Sequence, residues 1–173
     1  MTALIDLPIS PAELNTLVLT PALALLPKRM DSVPARLMLI AIGLQESGLN
    51  ARAQRPLRPG MPNGPARGLW QFERDGGVAG VLGHRASSQL AFEVCAACNV
   101  RPNREAVWNA LETDDVLAAC FARLLLWTDA APLPPVGNQA AAWDCYIRNW
   151  RPGKPHLERW ASNYQRAREA LNA

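Results

Sequence analysis

Between positions 33 and 47 the chain reads VPARLMLIAIGLQES, and Leu37, Ile40, Ala41 and Leu44 recur at spacings of three and four. That period lays the apolar side chains along one face of a helix. Asp31 or Ser32 is placed to cap its start, and Gly48 to end it as glycine does just past a last turn. Ser10-Pro11-Ala12-Glu13 carries a capping box with proline at the first helical position, and a short second segment is expected to restart at Thr20-Pro21.

Further helical patterns run over about 77–82, 87–98, 104–111, 114–128, 138–149 and 156 to the end. Ala131–Gly137, APLPPVG, reads as a stiff connector. Residues 49–67 are rich in Pro, Gly and Arg, which predicts a loop with a small hairpin at Pro62-Asn63-Gly64. No run alternates convincingly as a strand does. The fold class expected is mainly α with at most a vestigial β-hairpin. Residues 1–173 form one domain, its N-terminal helical segment 1–30 packing on the core.

Composition agrees with a folded domain: 49% of residues are apolar and 19% charged. The net charge of +3 suits an acidic polymer but is too small to argue for nucleic acid. The N-terminus has no basic region, and the apolar stretch 17–26 is broken by Pro21. The expectation is synthesis in the cytoplasm without a signal peptide, and no stable membrane insertion. Cys95-Ala-Ala-Cys98 lies in a helical pattern with no second pair and no paired histidine, so buried, reduced thiols are expected rather than a metal or redox site. No metal or organic cofactor is implied.

Glu46 closes the apolar helix. At such a position an acid is commonly just solvated. Packed against an apolar wall, it holds its proton more tightly and can hand it to a leaving oxygen near neutral pH. Gly68-Leu69-Trp70-Gln71-Phe72-Glu73 follows, with Gly68 suited to a close approach or a positive φ. Read as extended, it sets Trp70 and Phe72 on one face and Gln71 and Glu73 on the other, an aromatic wall with polar groups as a sugar-binding groove needs.

Glu46-Ser47 at a helix end, then Gly68-Leu69-Trp70-Gln71, then Asn149-Trp150-Arg151-Pro152-Gly153 resemble the motifs of the lysozyme-like lytic transglycosylases and goose-type lysozymes, particularly small phage-encoded ones. Trp70 replaces the family's Met. Arg148 stands where its Tyr directly precedes the Asn, with Tyr146 three residues before Asn149. The resemblance implies a lysozyme-like (transglycosylase-type) helical domain that cleaves the β-1,4 bond between N-acetylmuramic acid and N-acetylglucosamine in peptidoglycan. The protein would reach the wall after release or as part of a virion.

Glu46 is then the general acid, and Glu73, or Asp75 nearby, the candidate second carboxylate. Ser47, Trp70, Gln71, Phe72, Tyr146 and Asn149 are the candidate substrate-binding residues. Arg52, Arg55, Arg58 and Arg67 are expected to face the carboxylates of the wall. Two other classes fit the residues: a non-catalytic wall-binding or virion structural protein that keeps the fold, and a single-strand nucleic-acid binder using the Arg-Pro loop.

Overall fold

The computed structural model describes residues 4–54, 56 and 63–172. They are mainly helical, with one two-stranded antiparallel sheet. In chain order the helices are α1 (Pro11–Glu13), α2 (Thr20–Ala24), α3 (Val33–Ser47), α4 (Ala79–Gly83), α5 (Ser88–Ala97), α6 (Arg104–Ala110), α7 (Asp115–Trp127), α8 (Gln139–Trp150) and α9 (Leu157–Leu171). Strands β1 (Ala66–Arg67) and β2 (Phe72–Glu73) lie between α3 and α4. Among the described residues no helix is long and apolar enough to cross a membrane.

The caps are those the sequence signals. The Ser10 hydroxyl accepts from Glu13 N–H while the Glu13 carboxylate accepts from Ser10 N–H. Ser32, rather than Asp31, caps α3 by accepting from Ala35 N–H. Asp31 instead holds the Arg36 guanidinium through two bonds of 2.7 and 2.8 Å. The restart expected at Thr20-Pro21 is not a break. A π turn over Leu14–Leu19 carries the helix into α2, with Thr20 N–H donating to Asn15 O. The wide turn accommodates Pro21, which has no N–H to give.

The core is built around α3, whose residues 37–44 are all buried. Leu14, Val18, Leu19 and Leu23 pack into the same core from the N-terminal segment, as do Leu117, Phe121 and Leu124 from α7. Each such side chain taken out of water contributes about 1.5–3 kcal/mol. Cys95, Cys120 and Cys145 are buried and all four thiols are free. Burial pushes Cys95, Cys98 and Cys145 up to about 11, so they act as small apolar groups.

The hairpin is real but turns elsewhere. Pro62 lies outside the described residues, and the pairing seen joins Ala66 to Glu73 and Arg67 to Phe72. Its turn is Gly68–Gln71, with Gln71 N–H donating to Gly68 O. Gly68 sits at φ +74, where a Cβ would come within 2.7 Å of Leu111 O. Glycine is therefore required twice over, for its φ and for the contact.

The arginines of the loop also differ from expectation. Arg55 and Arg58 lie outside the described residues. Arg52 turns inward and pairs with buried Asp115 at 2.6 Å, also donating to Ile5 O. Arg67 pairs with Glu112 at 2.7 Å and lies over the Trp108 ring, 4.4 Å from its centroid. These two cations anchor the loop to the body of the protein.

Candidate active site

Helix α3 is apolar until its last turn, Gln45-Glu46-Ser47, and Gly48 at φ +63 then releases the chain. Leu49 immediately returns to the core, fully buried. Glu46 is thereby held half-buried at the mouth of a packed helix end. Loss of water contact raises its pKa to about 7, against the lowering pull of a hydrogen bond from Tyr146.

Tyr146 comes from α8, and its hydroxyl donates to Glu46 Oε1 at 2.6 Å. Its ring is stacked on Trp160 of α9, centroids 5.3 Å apart, with Trp143 at 5.4 Å. Burial, then the neighbouring Glu46, pushes the phenol's pKa up, so it remains a donor. Glu46 Oε2 makes no hydrogen bond among the described residues and is not sealed from solvent. The arrangement leaves Oε2 to carry the exchangeable proton.

A cleft of about 810 Å³ opens beside Glu46, lined also by Gln71, Phe72, Glu73, Asn149 and Trp150. On its other flank Glu46 borders a shallower depression of about 540 Å³ under α9. The larger cleft gathers most of the residues that the motifs single out.

Each of those residues has a definite place. Ser47 is a tie: its hydroxyl lies 2.7 Å from Leu69 O and accepts from Leu49 N–H, fixing the helix end to the Gly68–Gln71 turn. Gln71, at φ +50, donates to Gly68 O and lines the cleft. Phe72 lines the cleft although it is nearly all buried.

Trp70 does not line the groove. It is fully buried, and its indole N–H donates to Leu39 O of α3 at 2.8 Å. The close fit depends on Gly43, where a Cβ would lie 2.9 Å from Leu49 Cδ2 and 3.5 Å from Trp70 Nε1. The alternating reading fails because residues 68–71 form a turn and not a strand. The aromatic wall is instead Phe72 with Trp150, edge to face at 5.9 Å. Trp150 donates from its indole N–H to Trp70 O, which couples wall to core. Its position within the Asn-x-x-Pro-Gly match was the one signal that could have found it.

The two further carboxylates differ. Glu73 is exposed on the cleft with no hydrogen-bond or ion-pair partner among the described residues. Asp75 is exposed too but is engaged by Arg74 at 2.9 Å and Arg104 at 3.4 Å. The Arg74 hydrogen bond, above all, holds the Asp75 carboxyl below the usual carboxylate range.

Asn149 lines the cleft with its amide nitrogen turned to Asp129 Oδ2 and Cys145 O, each at 2.8 Å. Asp129, just beyond α7, also accepts from Arg148 and from Ala131 N–H. Nothing in the sequence draws attention to it. Chemically, the assembly offers one proton-holding carboxyl, one polar wall and one aromatic wall around an open cleft. No protein-family model matches the chain, and no curated protein or solved structure matches it.

Proposed function

We propose that the protein is a peptidoglycan-cleaving glycosidase with a lysozyme-like helical domain, in which Glu46 is the general acid. The observation that carries the reading is the half-buried Glu46 carboxyl, with its pKa raised to about 7, at the edge of an 810 Å³ cleft. A carboxyl in that range is both protonated often enough and acidic enough to serve near neutral pH.

Glu46 Oε2 gives its proton to the bridging oxygen as the C1–O bond of N-acetylmuramic acid breaks. The leaving N-acetylglucosamine departs as an alcohol, and positive charge develops at C1 and the ring oxygen. Tyr146 steadies Oε1 and favours the carboxylate that remains. In the transglycosylase route that carboxylate then takes a proton back. Taken from the muramyl C6 hydroxyl, it allows O6 to close on C1 as an anhydro-sugar. In the hydrolytic route water attacks C1, and a second carboxylate activates it in an inverting enzyme. Glu73, on the cleft and without a partner among the described residues, is the residue suited to that task; Asp75 is already engaged by two arginines.

The test is to incubate purified peptidoglycan with wild type and with Glu46→Gln and to weigh the released muropeptides. Wild type releases fragments, and the variant releases at least a hundredfold fewer, on the order of the contribution of a positioned acid. Anhydro ends identify a transglycosylase and reducing ends a hydrolase. Equal release by the variant removes Glu46 from the acid role. Co-sedimentation with wall sacculi and no release by wild type identifies a binding protein.

A further inference from the structure

Asn149 lies in the last turn of α8, and its amide has only one orientation open to it. Both of its nearest polar neighbours are pure acceptors, the carboxylate of Asp129 and the peptide carbonyl of Cys145, each 2.8 Å from Nδ2. Neither has a proton to give, so the NH₂ group must face them and the carbonyl must face away. Both hydrogens are then used. Oδ1 makes no hydrogen bond with the described residues and is not sealed from solvent, and the residue lines the cleft.

Cys145 O is part of α8 itself and sits where any helix would put it. Asp129 is the partner specific to this site. It is held by Arg148 Nη2 at 2.7 Å, Arg148 Nε at 2.9 Å and Ala131 N–H at 3.0 Å. Burial works against its ionisation, but these bonds and that from Asn149 outweigh it and keep the carboxyl below its ordinary range.

We infer that Asp129 is a positioning residue that locks Asn149 with its carbonyl toward the cleft, so that the cleft selects a ligand group donating an N–H or O–H hydrogen bond at that point. On the glycan reading proposed above, on which only the ligand's identity rests, the donor is an acetamido N–H or a sugar hydroxyl. A charged acceptor on the ligand, such as a carboxylate, is rejected there by Oδ1, itself an acceptor with no partner among the described residues.

The lock is tested on the unliganded protein by the side-chain NH₂ signals of Asn149 in nitrogen–proton NMR. Wild type gives two well-separated, exchange-protected signals, and Asp129→Asn brings them together and speeds their exchange with water. Fast exchange in wild type overturns the lock whatever the protein's activity.

The selection is tested with peptide-stripped peptidoglycan glycan strands. Asp129→Asn raises KM about tenfold, the loss of about one hydrogen bond, with kcat changed much less. The pH midpoint set by Glu46 stays in place. In an Asn149→Ala background the Asp129→Asn change adds nothing, because Asp129 acts through Asn149. Wild-type kinetics in Asp129→Asn, or its full loss repeated in the Asn149→Ala background, overturns the inference and leaves the proposed function standing. No binding or cleavage of the strands by wild type overturns the proposed function and the ligand assignment together, while the NMR result still decides the lock.

Binding to the inert Glu46→Gln protein separates the two donors. A shift of the Asn149 signals by glycan strands but not by a cello-oligosaccharide of equal length assigns the acetamido N–H. A shift by both assigns a hydroxyl, and a shift by neither, with binding intact, overturns the contact.

Discussion

The Tyr146 hydroxyl donates to Glu46 Oε1 across 2.6 Å, joining residues 100 positions apart. Burial drives the Glu46 pKa up, and this bond draws it part of the way back. Tyr146→Phe removes the donor and keeps the ring stacked on Trp160. The Glu46 midpoint then moves above its wild-type position near 7. Carboxyl-region NMR or infrared titration of the two proteins measures it; a midpoint that stays or falls contradicts the role given to Tyr146.

Stability should carry the mark of the same acid. The native state holds the Glu46 proton up to about 7, whereas an ordinary glutamate releases it near 4.5. Between those values the native state binds more protons than the unfolded one, so stability declines with rising pH. The contribution is fully present below 4.5 and lost as pH rises through about 7. Glu46→Gln, which keeps the acceptor for Tyr146, removes that slope. At pH 8 the variant is more stable than wild type by on the order of 2–3 kcal/mol, and at pH 4.5 the two converge. Urea unfolding at both pH values reads the difference.

Arg52 and Asp115 form an ion pair at 2.6 Å with little exposure of either side chain. Removing one partner strands a buried charge and costs about 3–5 kcal/mol. Replacing both together, as Arg52→Met with Asp115→Leu, costs much less than the two single changes summed. A double-mutant cycle by urea unfolding checks this; additivity would show that the pair is not coupled.

Gly68→Ala combines a backbone penalty at φ +74 with a Cβ pressed to 2.7 Å from Leu111 O. The expected loss is about 2–4 kcal/mol. Because Gly68 opens the turn that sets Gln71 and Phe72 on the cleft, the variant also loosens those two side chains. A hydrogen-exchange comparison should show faster exchange at residues 66–73. An unchanged melting temperature would contradict the close contact.

Most of the helices were legible because their signals are local. Ser32 caps α3 through the amide of Ala35, three residues ahead of it, and Gly48 ends the helix at its own position. The hairpin was legible as a presence but not as a place. Asn63-Gly64 is a turn signal by type, yet the close approach of Gly68 to Leu111 decides where the chain reverses, and that neighbour is far away in sequence. Trp70 misled for a related reason. Alternation assigns faces only to an extended chain, and the positive φ of Gln71 ends the extension. Arg52 looked like a solvent-facing cation because its partner, Asp115, lies 63 positions on. Asp129 carried no motif at all; its bonds to Arg148 and Asn149 exist only where the connector after α7 folds against α8.

The stack of Tyr146 on Trp160 makes the final helix a custodian of the acid. Gln45 Nε2 donates to His156 O, and Asn163 donates to Gln45 Oε1, so α9 is fastened to the turn of α3 that carries Glu46. A chain cut after residue 150 would retain every residue of the proposed proton transfer. It would also hydrate Glu46 and unmoor its phenol partner, leaving an ordinary surface glutamate. The environment proposed for Glu46 therefore depends on the docking of α9, a helix that supplies none of the groups in the proposed proton transfer.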